Sequence, residues 1–306
     1  MKRKAYGRDA GLSLRMLATS GLLGLLYVVF ALVLIQFFGA GFWLGLIIVG
    51  AMAIFQYFSS AKLALLASGA KVVERDQAPG LHDMVERLAA MADLPKPKVA
   101  VIESDVPNAF ATGRNPKNSA VAVTTGLWER LEPNEVEGVI AHELSHIGNR
   151  DVLIMTLASF FAMLAGLISR MAMYGGMFGG DRDRNGPPIW LIVFVVSIVT
   201  YFLSYILIRT ISRYREYAAD RGAALITGAP ENLMSALQKI AGQMSVIPRR
   251  DLREVESMNA FFIIPTNPHF SARDSFSELF STHPPLEKRL RNLANVAREM
   301  GRPVDL

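Results

Sequence analysis

Between Arg15 and Lys62 the chain carries no charged side chain. As α-helix, residues 16–61 would extend to about 70 Å, more than twice the roughly 30 Å hydrocarbon thickness of a bilayer. A water-soluble fold rarely hides so long a stretch, whereas lipid covers it without cost. Gly39-Ala40-Gly41 breaks the run, so two spans are expected, at about 16–38 and 42–61, with Trp43 as an interfacial anchor just after the turn. Two further uncharged runs follow, at 152–169 and 186–208. They predict a second transmembrane or membrane-embedded hairpin, with arms at about 152–174 and 189–208 and Asp181–Pro188 as the loop between them.

Charge placement orients these hairpins. Lys2, Arg3, Lys4 and Arg8 precede the first span, Lys62 follows the second, and Arg209, Arg213 and Arg215 follow the last. The positive-inside rule puts all of them in the cytoplasm. The N-terminal region has no small-residue cleavage pattern and leads straight into a second apolar stretch, so it reads as a retained anchor. The net charge of +5 comes from juxtamembrane Lys and Arg and forms no long basic stripe, which argues against nucleic acid as a partner. With no cysteine, disulfides, thiol nucleophiles and Cys-ligated zinc are excluded.

The remaining sequence is soluble in character and divides around the second hairpin. The expected organisation is a cytoplasmic basic tail and transmembrane hairpin (1–62), the first part of a soluble domain (63–151), the second hairpin (152–208) and the second part of that domain (209–306). In the first soluble segment Asp83–Met91 is amphipathic, with Met84, Leu88 and Met91 on one side. Lys98–Glu103 and Ser119–Thr124 read as strands, joined by turn chemistry at Asn115–Asn118. A helix is expected from Asn134 as N-cap, with Glu137 three residues on, through Ile147 to a stop at Gly148-Asn149. Beyond the second hairpin, a helix through Asn232–Ile240, a basic loop at Pro248–Asp251, a short apolar segment at Phe261–Ile264 and a last helix over Pro284–Met300 are expected.

His142-Glu143-Leu144-Ser145-His146 carries the chemistry. Four residues apart on a helix, both imidazoles face one way and can reach one metal, while Glu143 projects beside it as a base rather than a ligand. Zinc suits such neutral nitrogen ligands, and a catalytic site keeps one position open for water. A third ligand is needed, and Glu216 answers to it. It follows the end of the second hairpin, which returns the chain to the side it left. Asp220 lies four residues further on the same face, placed to accept a proton from the far nitrogen of a ligating His. The plainer alternative for Glu216 is a surface ion pair with Arg213 or Arg215.

With these motifs in order, the chain resembles the HtpX-type membrane zinc metallopeptidases, which are related to the CAAX prenyl proteases and, more distantly, to thermolysin-like zincins. The resemblance runs from the basic N-terminus through HELSH, the second hairpin and Ser212–Asp220 to Ser281-Thr282-His283-Pro284-Pro285 and Arg289. It implies a membrane α-helical protein with a cytosolic α+β zincin-like (gluzincin) catalytic domain. It implies a multi-pass location in the cell inner membrane and one zinc ion per chain, held by His142, His146 and Glu216. Glu143 would be the base that assists attack by zinc-bound water. The implied substrates are misfolded or damaged membrane proteins, with other membrane quality-control proteases as further contacts.

Asn108-Ala109-Phe110 also matches this family. The resemblance implies that Asn108 and Ala109 grip the substrate main chain, which an exposed strand edge does by adding the substrate as a further strand. Ala120, Val121, Ala122, Val123 and Thr124 form the candidate edge. Capping of a turn after Pro107 is the plainer reading of Asn108. His283 and Arg289 are expected near the active site, His283 to stabilise a developing oxyanion and Arg289 to pair with Glu216, Asp220 or substrate. His82 and His269 have no supporting pattern. A transporter is disfavoured because the spans hold almost no polar residues beyond Gln36 and Gln56. A noncatalytic zinc-stabilised scaffold or chaperone remains the alternative to an enzyme. It leaves Glu143 without a task and would want a fourth protein ligand.

Overall fold

The computed structural model describes residues 10–38, 40–178, 189–246, 263 and 281–304. These fall into two compact units. One comprises residues 58–153 and 212–304 of this set, and the other residues 10–57 and 154–211. The expected loops at 181–188 and 248–251, most of the apolar segment at 261–264, and His269 lie outside the described residues.

The second unit is built from helices. α1 (Ala10–Phe38) and α2 (Ala40–Ala67) form the first pair. α6 (Asp151–Phe178) and α7 (Ile189–Thr227) supply the second. Among the described residues, three stretches are long and apolar enough to cross a bilayer: Gly11–Val33, Leu46–Ala67 and Trp190–Thr227. Among the described residues of α6, Ala162–Met171 forms an apolar stretch. Leu17, Leu32, Ile47 and Phe55 are each more than 60% exposed, which in water would be costly and in lipid is neutral. Phe30, Leu164 and Ala165 are buried together, as are Leu23, Tyr27, Ala158 and Ile211. Ser197, Thr200 and Ser204 are buried along α7, where small residues permit close helix packing.

Two expectations fail here. Lys62 does not end the first hairpin; α2 continues through it to Ala67, because Leu63–Ala67 are strong helix formers and no breaker intervenes before Gly69. Likewise, the second arm of the second hairpin does not end near Ile208 as expected. α7 runs unbroken to Thr227, so the third ligand stands on the extension of a membrane helix.

The other unit holds a four-stranded sheet in the order β1-β2-β4-β3. Its strands are β1 (Lys71–Val72), β2 (Lys98–Ile102), β3 (Ala109–Asn115) and β4 (Asn118–Thr124). β2 and β4 run parallel, and β3 pairs antiparallel with β4 on its other side. The Asn115–Asn118 turn therefore closes the β3–β4 hairpin rather than joining the two expected strands. Alternation along β4 sends Val121 and Val123 into the main core, and Ala122 to the opposite face with Ala64, Ala100, Ile102 and Phe110.

α3 (Pro79–Met91) and α5 (Pro133–Asn149) contribute to the main core. In α3, Leu81, Met84, Val85 and Leu88 turn inward, while Met91 is half exposed, unlike its expected place on the buried side. α4 (Thr125–Arg130) is capped by Thr124, whose side chain accepts from Leu127 N–H. α5 starts one residue before the expected Asn134. Pro133 occupies its first turn, and Glu132 with Glu135 forms a reciprocal capping box. α8 (Pro230–Val246) crosses α5 at Gly138, where a Cβ would stand 2.8 Å from Leu233 N. α9 (Leu286–Glu299) completes the unit with Leu290 and Leu293 buried.

Candidate metal centre

Val139, Ile140 and Leu144 are fully buried on α5 and lock its rotation, which fixes where the two histidines point. His142 Nε2 and His146 Nε2 stand 3.1 Å apart. Glu216 closes the triangle from α7, with Oε2 at 3.6 Å from His142 Nε2 and Oε1 at 3.5 Å from His146 Nε2. These three residues form the candidate metal-holding group found among the described residues. Tetrahedral zinc with bonds of about 2.05 Å separates its ligand atoms by about 3.3 Å, close to the edge between the two histidines, and each imidazole has one oxygen of Glu216 at a comparable distance.

The ring nitrogens pointing away from this triangle face carboxylates. His142 Nδ1 is 3.0 Å from Asp220 Oδ1, and His146 Nδ1 bonds to Asp151 Oδ2 at 2.5 Å. A carboxylate acceptor holds the ring proton on Nδ1. Both Nε2 lone pairs then face each other and Glu216, an arrangement that needs a cation between them. The charge count agrees. Glu143, Asp151, Glu216 and Asp220 are all at least 94% buried, against two contacting guanidiniums, Arg215 and Arg289. With neutral imidazoles, a divalent cation cancels the remaining two negative charges.

Arg289 is 1% exposed and grips Asp220 with two parallel bonds, Nη2 to Oδ1 at 2.7 Å and Nε to Oδ2 at 3.0 Å. Its Nη1 donates to Ile263 O and lies 3.6 Å from Glu216 Oε2. Burial works against the Arg289 charge, but Asp220 outweighs it and raises its pKa further. His283 Nδ1 is 3.3 Å from Glu216 Oε2, so the residue sits in the same cluster. Glu143 Oε2 accepts from Ala111 N–H at 2.7 Å. Burial raises the Glu143 pKa above the ordinary carboxyl value, with His142 and His146 opposing.

The structure corrects the expected substrate edge. Ala120, Val121, Ala122, Val123 and Thr124 lie on β4, which is paired on both sides and buried, so it has no free backbone groups to offer. The edge strand is β3, which the sequence reading missed. Asn108 is buried just ahead of it, its Oδ1 accepting from Ile263 N–H and its backbone bonding to Thr124. Glu216 instead faces His142, His146, His283 and Arg289. Arg213 donates to Ser281 O, and Arg215 pairs with Asp151. Asp151 and Arg215 were also missed. Their signal was a lone carboxylate five residues past His146 at the threshold of an apolar run, with a cation beside the third ligand. His82, buried, bonds to Val73 O and lies outside the cluster.

Residues 75–297 match the family model described as Peptidase family M48. A curated relative, the protease HtpX homolog of Moorella thermoacetica, is 52% identical over 299 residues, covering 97% of this chain and 98% of the relative. The protease HtpX homolog 2 of Methanosarcina acetivorans is 51% identical over 300 residues, 98% and 100% of the two chains. The protease HtpX homolog 1 of Streptomyces coelicolor is 49% identical over 297 residues, 97% and 96%. Among solved structures, S. mikatae Ste24p shares the fold with a TM-score of 0.51 at 19% identity, over 93% of this chain and 67% of that one.

Proposed function

This chain belongs to peptidase family M48 and is a zinc-dependent membrane endopeptidase, and we propose that it removes misfolded or damaged membrane proteins through a cytoplasmic active site. The observation that carries the site assignment is the pair of imidazole Nε2 atoms 3.1 Å apart, each ring backed by a carboxylate at Nδ1.

In this reading His142, His146 and Glu216 hold the zinc. Bound by these residues, zinc would supply Lewis-acid polarisation of a scissile carbonyl and a lowered pKa for water. The Glu143 carboxylate accepts the proton of the attacking water and passes it to the leaving amine. Asp220 and Arg289 keep His142 oriented, and stabilisation of the oxyanion by His283 remains part of the proposal. β3 offers the substrate main chain an edge, so Asn108 and Ala109 act at its start and cleavage depends little on side-chain identity. Selectivity for unfolded chain follows, because only an extended segment can join a sheet.

The cytoplasmic orientation is supported by Lys2, Arg3, Lys4 and Arg8 ahead of the first hairpin and by Lys62 in the last turns of α2. Association with other membrane quality-control proteases belongs to the same proposal. The test is reconstitution with one membrane protein in a folded and a destabilised form. Cleavage confined to the destabilised form is expected; equal cleavage of both contradicts the substrate class.

A further inference from the structure

His142 and His146 are not constrained alike. The His142 side chain is 1% exposed and enclosed by the core, whereas that of His146 is 15% exposed, so packing alone holds its ring less firmly. What faces its outer nitrogen is Asp151, 2% exposed, at the first residue of α6. The chain reaches that position through Arg150, which adopts a left-handed conformation (φ 57°) and donates its N–H back to Ile147 O. This sharp reversal brings Asp151 beside the histidine five residues earlier. Asp151 Oδ2 takes His146 Nδ1, and Oδ1 lies 3.0 Å from Arg215 Nε in an ion pair whose angle falls outside good hydrogen-bond geometry. Arg215 belongs to α7 and precedes the third ligand.

The Arg215–Asp151–His146 chain thus parallels the Arg289–Asp220–His142 chain on the other ligand. A buried carboxylate without its cation would cost several kcal/mol, so Arg215 keeps Asp151 ionised and in place. An ionised acceptor at Nδ1 selects the tautomer with a free Nε2 and makes that nitrogen the better ligand.

We propose that Asp151, held by Arg215, is a positioning residue for the second metal-ligating histidine, so that metal affinity depends on the junction where α5 passes into α6 and on its contact with α7. This rests on the reading of His142, His146 and Glu216 as the zinc site. Geometrically, the same α7 helix then supplies a ligand through Glu216 and the orientation of another through Arg215.

The test measures zinc affinity of the full-length, metal-stripped protein in detergent by competition with a chromophoric chelator, and records the absorption spectrum of the cobalt-substituted protein. Asp151→Ala is expected to weaken zinc binding by about 10–100-fold, within the range for an outer hydrogen-bond partner of a ligand. Arg215→Gln should weaken it less, and Arg215→Lys should restore most of the loss. Once Asp151 is replaced by Ala, Arg215→Gln should have no further effect, because the two act as a unit. Glu135→Gln is the control. It breaks another buried carboxylate pair on α5, with Lys239 and Ser235, away from the metal residues. It should lower thermal stability while leaving zinc affinity and the cobalt spectrum unchanged. Should Asp151→Ala fail to fold, Asp151→Asn, which conserves volume while removing the charge, carries the same direction of effect. Wild-type affinity in the Asp151 and Arg215 variants overturns the positioning role. Absence of zinc binding by the wild-type protein itself overturns the zinc site beneath it.

Discussion

Ala111 N–H donates to Glu143 Oε2 across 2.7 Å, which ties the edge of β3 to the carboxylate on α5. The backbone group of the edge strand and the proton acceptor are thereby held in one register. Gln at 143 keeps an oxygen for Ala111 but cannot take up a proton from water. Glu143→Gln should therefore retain full zinc while losing at least about 10²–10⁴-fold in peptide hydrolysis, the usual worth of a general base. Metal content and cleavage rate measured on the same preparation decide it. Parallel loss of both would contradict the assigned role.

Zinc binding should depend on pH through His142. Burial alone would lower the pKa of this ring, but hydrogen bonding to Asp220 and Glu216 prevails and raises it to about 9 in the metal-free protein. Below that value the ring is protonated, and a metal must displace the proton. Apparent zinc affinity should accordingly fall about tenfold per pH unit on descending from pH 9, with about one proton released on binding. Calorimetry in buffers of different ionisation enthalpy measures that proton. A pH-independent affinity between 6 and 8 would contradict it.

Arg289 is the largest fully buried side chain among the described residues and serves Asp220 and Ile263 together. Arg289→Met fills the space but leaves Asp220, 0% exposed, without a counter-charge. A loss of about 3–5 kcal/mol is expected, as for other buried pairs broken on one side. Arg289→Lys keeps the charge without the two-pronged fit and should fall between Met and wild type. Thermal unfolding of the metal-free variants ranks them.

His146 and Glu216 belong to one unit on either side of the second hairpin, so the chain must leave and return on the same side of the membrane. Single cysteines can be introduced into this cysteine-free chain at Arg130, Asp183 and Glu287. A membrane-impermeant thiol reagent on intact cells should label position 183 if the hairpin spans, and neither of the others. Labelling at 287 but not at 130 would contradict the site.

Much of the site was legible because it is local. His142 and His146 share a helical face by spacing alone, and Glu216 with Asp220 repeats the logic. The apolar runs declared the membrane, and alternation along β4 put Val121 and Val123 in the core. What escaped was decided by tertiary context. β3 reads Ala-Phe-Ala-Thr-Gly-Arg-Asn, nearly free of β-branched residues, and forms because β4 offers it a partner. With β3 unseen, β4 looked like an edge. Asp151 is a single carboxylate at the head of an apolar run, and only the reversal at Arg150 turns it toward His146. Nothing local marks a helix break in α7, and there is none.

The central claim is that this chain hydrolyses peptide bonds with one zinc held by His142, His146 and Glu216. The most direct measurement is titration of zinc into metal-stripped, full-length protein while following cleavage of a destabilised membrane protein. Expected are no cleavage without metal, a linear return that saturates at one zinc per chain, and no return in Glu216→Ala at the same zinc concentration. Cleavage that persists after complete removal of zinc, or saturation with the Glu216 variant equal to wild type, would contradict it.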